Sequence, residues 1–113
     1  MENENLINSL LPYIGYHKSN NKYSAYIPYI CLNSHIQSIA GNTYLISEFL
    51  NLSTDRSDYS PTYTYCLTDN KFEIGIEGQD LDIIYKSIKD IQIKLKNNSC
   101  IINDNFEKLD IIK

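Results

Sequence analysis

Residues 62–77, TYTYCLTDNKFEIGIE, constrain the fold more than any other part of the chain. Large side chains alternate with small or polar ones on both sides of Asp69-Asn70, a pattern typical of two strands that each bury one face and are joined by a tight turn. A two-residue turn would oppose Leu67 to Phe72, Tyr65 to Ile74 and Tyr63 to Ile76. This spacing predicts a hairpin that directs those large side chains into the core and leaves Glu73 and Glu77 on a solvated face.

Residues 13–31 predict a second hairpin. Two runs rich in tyrosine and isoleucine flank Asn20-Asn21, and asparagine tolerates the positive φ that a two-residue hairpin turn requires. Such a turn would pair Ile14 with Ile27. Pro28 has no N–H group to donate to a sheet, so we expect its side of the strand to be an edge or a bulge.

The spacing of apolar residues predicts helices before and between the hairpins. A short amphipathic helix is expected over residues 6–11. Residues 34–49 favour two short helices separated by Gly41-Asn42, with a strand in place of the second helix as the alternative. Ser34 and Gln37 have the spacing of a capping box, which places the start of the first of these helices.

A longer helical stripe follows the hairpin at 62–77. Apolar residues recur every three or four positions, at Leu81, Ile84, Ile88, Ile91 and Leu95. This stripe favours one long helix, and a shorter helix followed by a strand is the alternative. A short strand at 99–102 and an amphipathic turn at 104–112 complete the predicted elements.

These elements predict a small α+β domain. Its mainly antiparallel sheet is built from two hairpins, at about residues 13–31 and 62–77, and its helices pack on one face of the sheet. A chain of 113 residues is one domain by length, and no linker rich in proline, glycine or serine divides it. We therefore expect a single domain over residues 1–113, with a strand order that the sequence leaves open.

The composition is that of a globular chain, with 42% hydrophobic and 21% charged residues. No apolar stretch approaches the roughly 20 residues that cross a bilayer, and the first residues lack the pattern of a secretory signal. The three cysteines have neither paired nor metal-binding spacing, which indicates free thiols in a reducing compartment. We expect a cytoplasmic protein without membrane contact. Abundant isoleucine and asparagine indicate an AT-rich coding sequence, as in a low-GC bacterium or a virus.

The sequence offers two weak candidates for chemistry. Cys31 and His35 are close enough in sequence to form a thiol and imidazole pair, but a buried thiol and a histidine near a helix start are the more frequent outcome. Asp80 and Asp82 offer carboxylates for a divalent cation, although acids in the first turn of a helix stabilise it without any ligand. Glycine-rich phosphate loops and zinc motifs do not occur. We therefore assign no catalytic, cofactor or metal residues.

Acidic residues concentrate between Asp55 and Asp82, in a chain whose formal net charge is −4. This charge disfavours direct nucleic-acid binding, which needs clustered lysine and arginine, and it favours encounter with a basic protein. Tyrosine is enriched at protein interfaces, and we expect Tyr59 and one face of the first hairpin to be exposed. The predicted partner-binding residues are Asp55, Asp58, Tyr59, Glu73, Glu77 and Asp80.

Three functions from different classes fit these observations. The first is a non-enzymatic inhibitor of immunity or anti-defence type, whose acidic surface covers the basic site of an effector such as a nuclease. The second is a small-molecule-binding or regulatory module with a tyrosine-lined pocket. The third is a small enzyme that uses Cys31 and His35. We favour the first, with a basic protein as the partner, and leave homo-oligomers open.

Overall fold

A computed structural model describes residues 7–52, 59–68 and 70–105 of the protein, together with the backbone of 111–112. Within these ranges a mixed sheet packs against three helices. In chain order the elements are β1 (Tyr13–His17), β2 (Lys22–Cys31), α1 (Ser34–Ile39), α2 (Thr43–Phe49), β3 (Ser60–Cys66), β4 (Lys71–Gly78), α3 (Leu81–Asn97), β5 (Cys100–Ile101) and β6 (Ile111–Ile112). The predicted α+β class with a mainly antiparallel sheet is confirmed.

The strands lie in the order β3-β4-β2-β1-β6, and β5 pairs with the end of β2. Neighbouring strands run antiparallel except β1 and β6, which are parallel. One side of β2 has two neighbours: β1 pairs with β2 up to Tyr26, and β5 pairs with β2 from Ile30 onwards. Pro28 lies in the gap between these two neighbours. Its missing N–H therefore costs no hydrogen bond on that side, which is the local edge that the sequence predicts.

The hydrophobic core lies between the sheet and the helices. Side chains alternate along each strand, so every second residue of the central strands faces the helices. The stripe predicted on α3 is buried from Ile84 to Leu95, and Leu81 is partly buried. The alternative of a shorter helix followed by a strand is wrong. The core residues without exposed surface include Ile14, Ala25, Ile27, Ile74, Ile76, Ile84, Ile88, Ile91 and Leu95. Burial of each large aliphatic side chain contributes roughly 1.5–3 kcal/mol.

Asparagine side chains begin the two short helices. Asn33 accepts hydrogen bonds from two backbone N–H groups of α1, and Asn42 accepts one from Leu45 at the start of α2. The cap of α1 is therefore one residue earlier than the predicted Ser34, because the asparagine side chain serves this role as well as serine does. The two helices predicted over 34–49 are confirmed, and the strand considered in place of α2 does not form.

The first hairpin has a longer connection than predicted. Residues 18–21 join β1 to β2, and Asn21 adopts a φ of 58° within this connection. Ile14 consequently pairs with Ala25 rather than with Ile27. The register differs from the prediction by two residues. Because side chains alternate with a period of two, every residue keeps its predicted face.

The second hairpin differs from its prediction by a single residue. The predicted turn of two residues would place Thr68 opposite Lys71, whereas the strands are joined by three residues, 68–70, between Leu67 and Lys71. The Lys71 carbonyl accepts a hydrogen bond of 2.7 Å from the Leu67 N–H. Tyr65 therefore faces Glu73 and not Ile74. A one-residue shift turns a strand over, so the tyrosines of β3 lie on the sheet face away from the helices. The predicted core pairing of β3 is wrong.

The ends of the chain also differ from the predictions. Residues 7–8 form a helical turn, and Ile7 is 41% exposed instead of belonging to an apolar face. The backbone of Ile111–Ile112 pairs with β1 as a strand, so the amphipathic turn predicted over 104–112 does not extend to these residues, and 106–110 lie outside the described part. None of the helices described has the length and apolarity that a bilayer span requires.

Candidate functional site

The predicted acidic surface is divided by the fold. Asp55 and Asp58 lie outside the described residues. Tyr59 was expected to be exposed, but it is 4% exposed and belongs to the core, since its ring buries apolar area directly before β3. Asp80 is exposed, and its carboxylate caps α3 by accepting hydrogen bonds from the first N–H groups of the helix at 2.9 and 3.4 Å. Asp80 thus has a structural role in the free protein.

Glu77 is paired with a cation of its own chain. It lies opposite Ser24 in the sheet, and its carboxylate is 3.5 Å from the ammonium of Lys22. Both side chains are partly exposed, and ion pairs of this kind contribute about 0–1 kcal/mol. A stronger contact from a binding partner can therefore replace the Lys22–Glu77 pair at little cost.

Four tyrosines lie together on the sheet face opposite the helices: Tyr13 on β1, Tyr26 on β2, and Tyr63 and Tyr65 on β3. Their ring centroids are 4.7 Å apart for Tyr13 and Tyr26, 5.8 Å for Tyr26 and Tyr63, and 4.4 Å for Tyr63 and Tyr65. These separations are those of favourable aromatic pairs. Tyr13 is 36% and Tyr65 45% exposed. We refer to these four residues as the tyrosine face.

Gly75 makes room for the tyrosine face. It lies between Tyr26 and Tyr63 in neighbouring strands. The ring of Tyr63 lies over it so closely that a Cβ at this position would be 2.6 Å from Tyr63 Cζ. Glycine in a strand interior weakens the strand unless another group approaches closely. Here the tyrosine ring covers the backbone that a side chain would otherwise cover.

Glu73 is buried beneath the tyrosine face, whereas the sequence predicts it on a solvated face. It is 4% exposed. The hydroxyl of Tyr13 donates to its carboxylate, at 3.1 Å from Oε1 and 3.0 Å from Oε2. The prediction is wrong because the register of the second hairpin brings Tyr65 onto the same face, opposite Glu73. Burial raises the pKa of the Glu73 carboxyl, and the Tyr13 hydrogen bond and the charge of Lys71 partly oppose this rise.

The proton between Tyr13 and Glu73 belongs to the phenol. Burial, followed by the charge of Glu73 and the hydrogen bond to it, raises the pKa of Tyr13 to about 12. A carboxylate acceptor stabilises the protonated phenol. In this contact the phenol donates and the carboxylate of Glu73 accepts.

Cys31 and His35 have separate surroundings. Cys31 has no exposed surface and faces Cys100 across the β2–β5 pair. His35 is exposed, and its ring packs on Phe49 with centroids 5.2 Å apart. Burial, with the neighbouring Cys31, raises the pKa of the Cys100 thiol, so Cys100 itself is disfavoured as a reactive thiolate. This arrangement gives no support to an enzyme that uses Cys31 and His35.

Two depressions lined by described residues contain no tyrosine. The larger one, about 330 Å³, lies beside α3 and is lined by Lys89, Gln92, Ile93, Lys96, Ile102 and Asp104. The other, about 220 Å³, lies at α1 and α2 and is lined by His35, Ile39, Leu45, Glu48 and Phe49. Neither is the tyrosine-lined pocket of the second hypothesis. Within the described ranges, no group of three or more histidine, cysteine or acidic residues is placed to hold a metal ion.

Tyr63 and Tyr65 are absent from the partner-binding residues that the sequence predicts. Their positions alternate with threonine in the pattern TYTY, which does not say which set faces the core. One signal is the choice of residue. The core-facing positions of β4 carry phenylalanine and isoleucine, whereas β3 carries tyrosine, whose hydroxyl usually needs a polar neighbour or water.

No family model matches the sequence, and neither the curated proteins nor the solved structures give a match. The fold and the site define the class of protein on their own: a small α+β protein with helices on one side of its sheet and stacked tyrosines on the other. Because many functions occur on one fold, function has to be argued from the tyrosine face itself.

Proposed function

We propose that the protein is a non-enzymatic inhibitor of immunity or anti-defence type, which binds a basic protein through the tyrosine face. The supporting observation is the row of four tyrosines on the sheet face opposite the helices, in which two stacked pairs meet at the tilted Tyr26–Tyr63 contact. Tyrosine is enriched at interface positions that contribute most to binding. Rings that are already stacked lose little side-chain freedom on binding, which favours affinity.

Charge supports a basic partner. The chain as a whole has a formal net charge of −4, although Glu73 and Glu77 share the tyrosine side of the sheet with Lys22 and Lys71. Complementary charge speeds encounter and selects among partners. The basic substrate site of an effector such as a nuclease has the matching charge, and a bound inhibitor would exclude the substrate from it. We place this interaction in the cytoplasm.

Two other ligands are less well supported by the tyrosine face. A small molecule is usually enclosed in a concave site, and the face is one side of a sheet. Bases of single-stranded nucleic acid stack on aromatic rings, but such sites also carry a basic groove for the phosphates. The net negative charge of the chain disfavours such phosphate contacts.

Affinity capture from cells that naturally produce the protein, followed by inhibition assays with the captured protein, tests the proposal. Tyr65→Ser removes an exposed ring from the tyrosine face and should weaken binding at least tenfold. Tyr44→Ser is the matched control, because Tyr44 is 74% exposed but lies on α2. It should leave binding unchanged. Raising the salt concentration should weaken binding, since part of the attraction is electrostatic.

The result that contradicts the proposal is equal binding by both tyrosine variants and the unaltered protein. Capture of an acidic protein would contradict the predicted charge of the partner. Self-association in sedimentation experiments that is lost in Tyr65→Ser and not in Tyr44→Ser would assign the face to a second copy of the chain instead.

A further inference from the structure

The carboxylate of Glu73 is poorly supplied with hydrogen-bond donors for a buried group. A carboxylate offers about four acceptor positions. Among the residues that the structure describes, a single hydroxyl, that of Tyr13, is shared between both oxygens. Removing an ionised carboxylate from water is costly unless it is paired and hydrogen-bonded. A 4% exposed glutamate with one shared donor is therefore a group that a cationic donor would stabilise.

The side chains described around Glu73 leave acceptor positions of its carboxylate available for a ligand. Lys71 is two residues earlier on the same face of β4, and its charge lowers the pKa of Glu73, but no hydrogen bond between them is among the described contacts. Tyr65 lies directly opposite Glu73, and Pro28 occupies the other side. Tyr13 reaches over from β1. The carboxylate thus lies among Tyr13, Tyr65 and Pro28, with the charge of Lys71 near enough to act on it.

We infer that Glu73 and the tyrosines around it form a receptor for the guanidinium of an arginine on the partner protein, an inference that rests on the proposed function. A guanidinium donates two parallel hydrogen bonds to a carboxylate and stacks on aromatic rings. The site supplies both features, because the carboxylate lies beside the rings of Tyr13 and Tyr65. The negative charge of the chain is complementary to this occupant.

Binding requires Tyr13 to release at least one oxygen of Glu73. Tyr13 is 36% exposed and lies on β1, at one end of the stack. Its ring can therefore rotate without displacing a core side chain. In the free protein the Tyr13 hydroxyl occupies part of the position that the guanidinium takes in the complex.

Titration of the intact protein with N-acetylarginine amide, followed by NMR, tests the inference. The amide signal of Glu73 and the ring signals of Tyr13 and Tyr65 should shift in a saturable manner. The citrulline analogue, which has the same shape without the charge, should bind at least tenfold more weakly. Glu73→Gln should also weaken arginine binding at least tenfold, while circular dichroism shows an unchanged fold. Asp80→Asn is the control for loss of a carboxylate elsewhere on the surface.

Two results would overturn the inference: equal shifts with the arginine and citrulline analogues, or equal arginine binding by Glu73→Gln and the unaltered protein. Stronger binding of N-acetyllysine amide than of the arginine analogue would also reject a guanidinium site. Failure of the proposed function can be told apart from failure of the arginine receptor, because the former is tested by binding of the captured partner and the latter by titration with arginine analogues. A partner that needs Tyr65 but tolerates Glu73→Gln would leave the proposed function standing and remove the arginine receptor.

Discussion

The hydrogen bond between Tyr13 and Glu73 connects a tyrosine with an acidic residue. Tyr13 lies on β1 and Glu73 on β4, 60 positions apart in the chain. The hydrogen bond favours the ionised carboxylate, while burial disfavours it. The ionisation of Glu73 in the folded protein is therefore set by a balance that one hydroxyl shifts.

Tyr13→Phe removes that hydroxyl and keeps the ring. We expect the pKa of the Glu73 carboxyl to rise further, because the opposing hydrogen bond is lost and burial remains. Titration of the carboxyl carbon signal of Glu73 by NMR measures this change. Tyr65→Phe removes a hydroxyl from the same face without touching the Tyr13–Glu73 bond and serves as the comparison. An unchanged titration midpoint in Tyr13→Phe would mean that the hydrogen bond does not act on the carboxylate in solution.

The two hairpins show which features of an element the sequence determines. Alternation within β4 places Phe72, Ile74 and Ile76 on the core face whatever the partner strand does, and the apolar stripe does the same for α3. The face of β3 depends instead on the number of residues in a connection. A change of two residues in the first hairpin leaves every face as predicted, whereas a change of one in the second turns β3 over. Turn lengths are decided by local backbone contacts that residue types specify only weakly, so the contribution of β3 to the tyrosine face could not be predicted.

The start of α3 provides a test of the role of Asp80. Asp80→Ala removes the cap that accepts from the N–H of Asp82, and we expect a loss of about 1 kcal/mol in the free energy of unfolding. Asp80→Asn keeps an acceptor and should cost much less, since asparagine caps helices as well as aspartate does. Urea denaturation of both variants measures the difference. Equal destabilisation would show that the charge, through the helix dipole, matters more than the cap.

At the scale of the whole molecule, the sheet separates two environments. The helix side is filled with aliphatic side chains, and the other side carries the tyrosines, Glu73 and Glu77. The sequence predicts this division into a core and a polar face and the class of the fold. It does not predict that Glu73 is buried on the polar side, because burial there results from rings contributed by two other strands.

The free energy of unfolding should depend on pH because the carboxyl of Glu73 is buried. Its pKa lies above the ordinary value of 4.5 in the folded state, so between the two values the folded protein binds more protons than the unfolded chain. The contribution of Glu73 to stability is therefore largest below pH 4.5 and falls as the pH rises through the folded pKa. Glu73→Gln does not ionise, and its stability relative to the unaltered protein should increase with pH across this window. Urea denaturation of both proteins from pH 4 to pH 8 checks this, and a difference that is independent of pH would contradict it.

The outer edge of the sheet at β3 has a consequence for how other chains can approach. β3 is the last strand on its side of the sheet. It contains Pro61, which has no N–H to donate, and the register of its pairing with β4 shifts between Pro61 and Tyr63. Proline and irregular spacing are features by which natural edge strands avoid uncontrolled growth of the sheet through added strands. This edge therefore disfavours extension of the sheet by another chain, and the proposed partner would meet the tyrosine side of the sheet, where side chains and not backbone hydrogen bonds decide which protein binds.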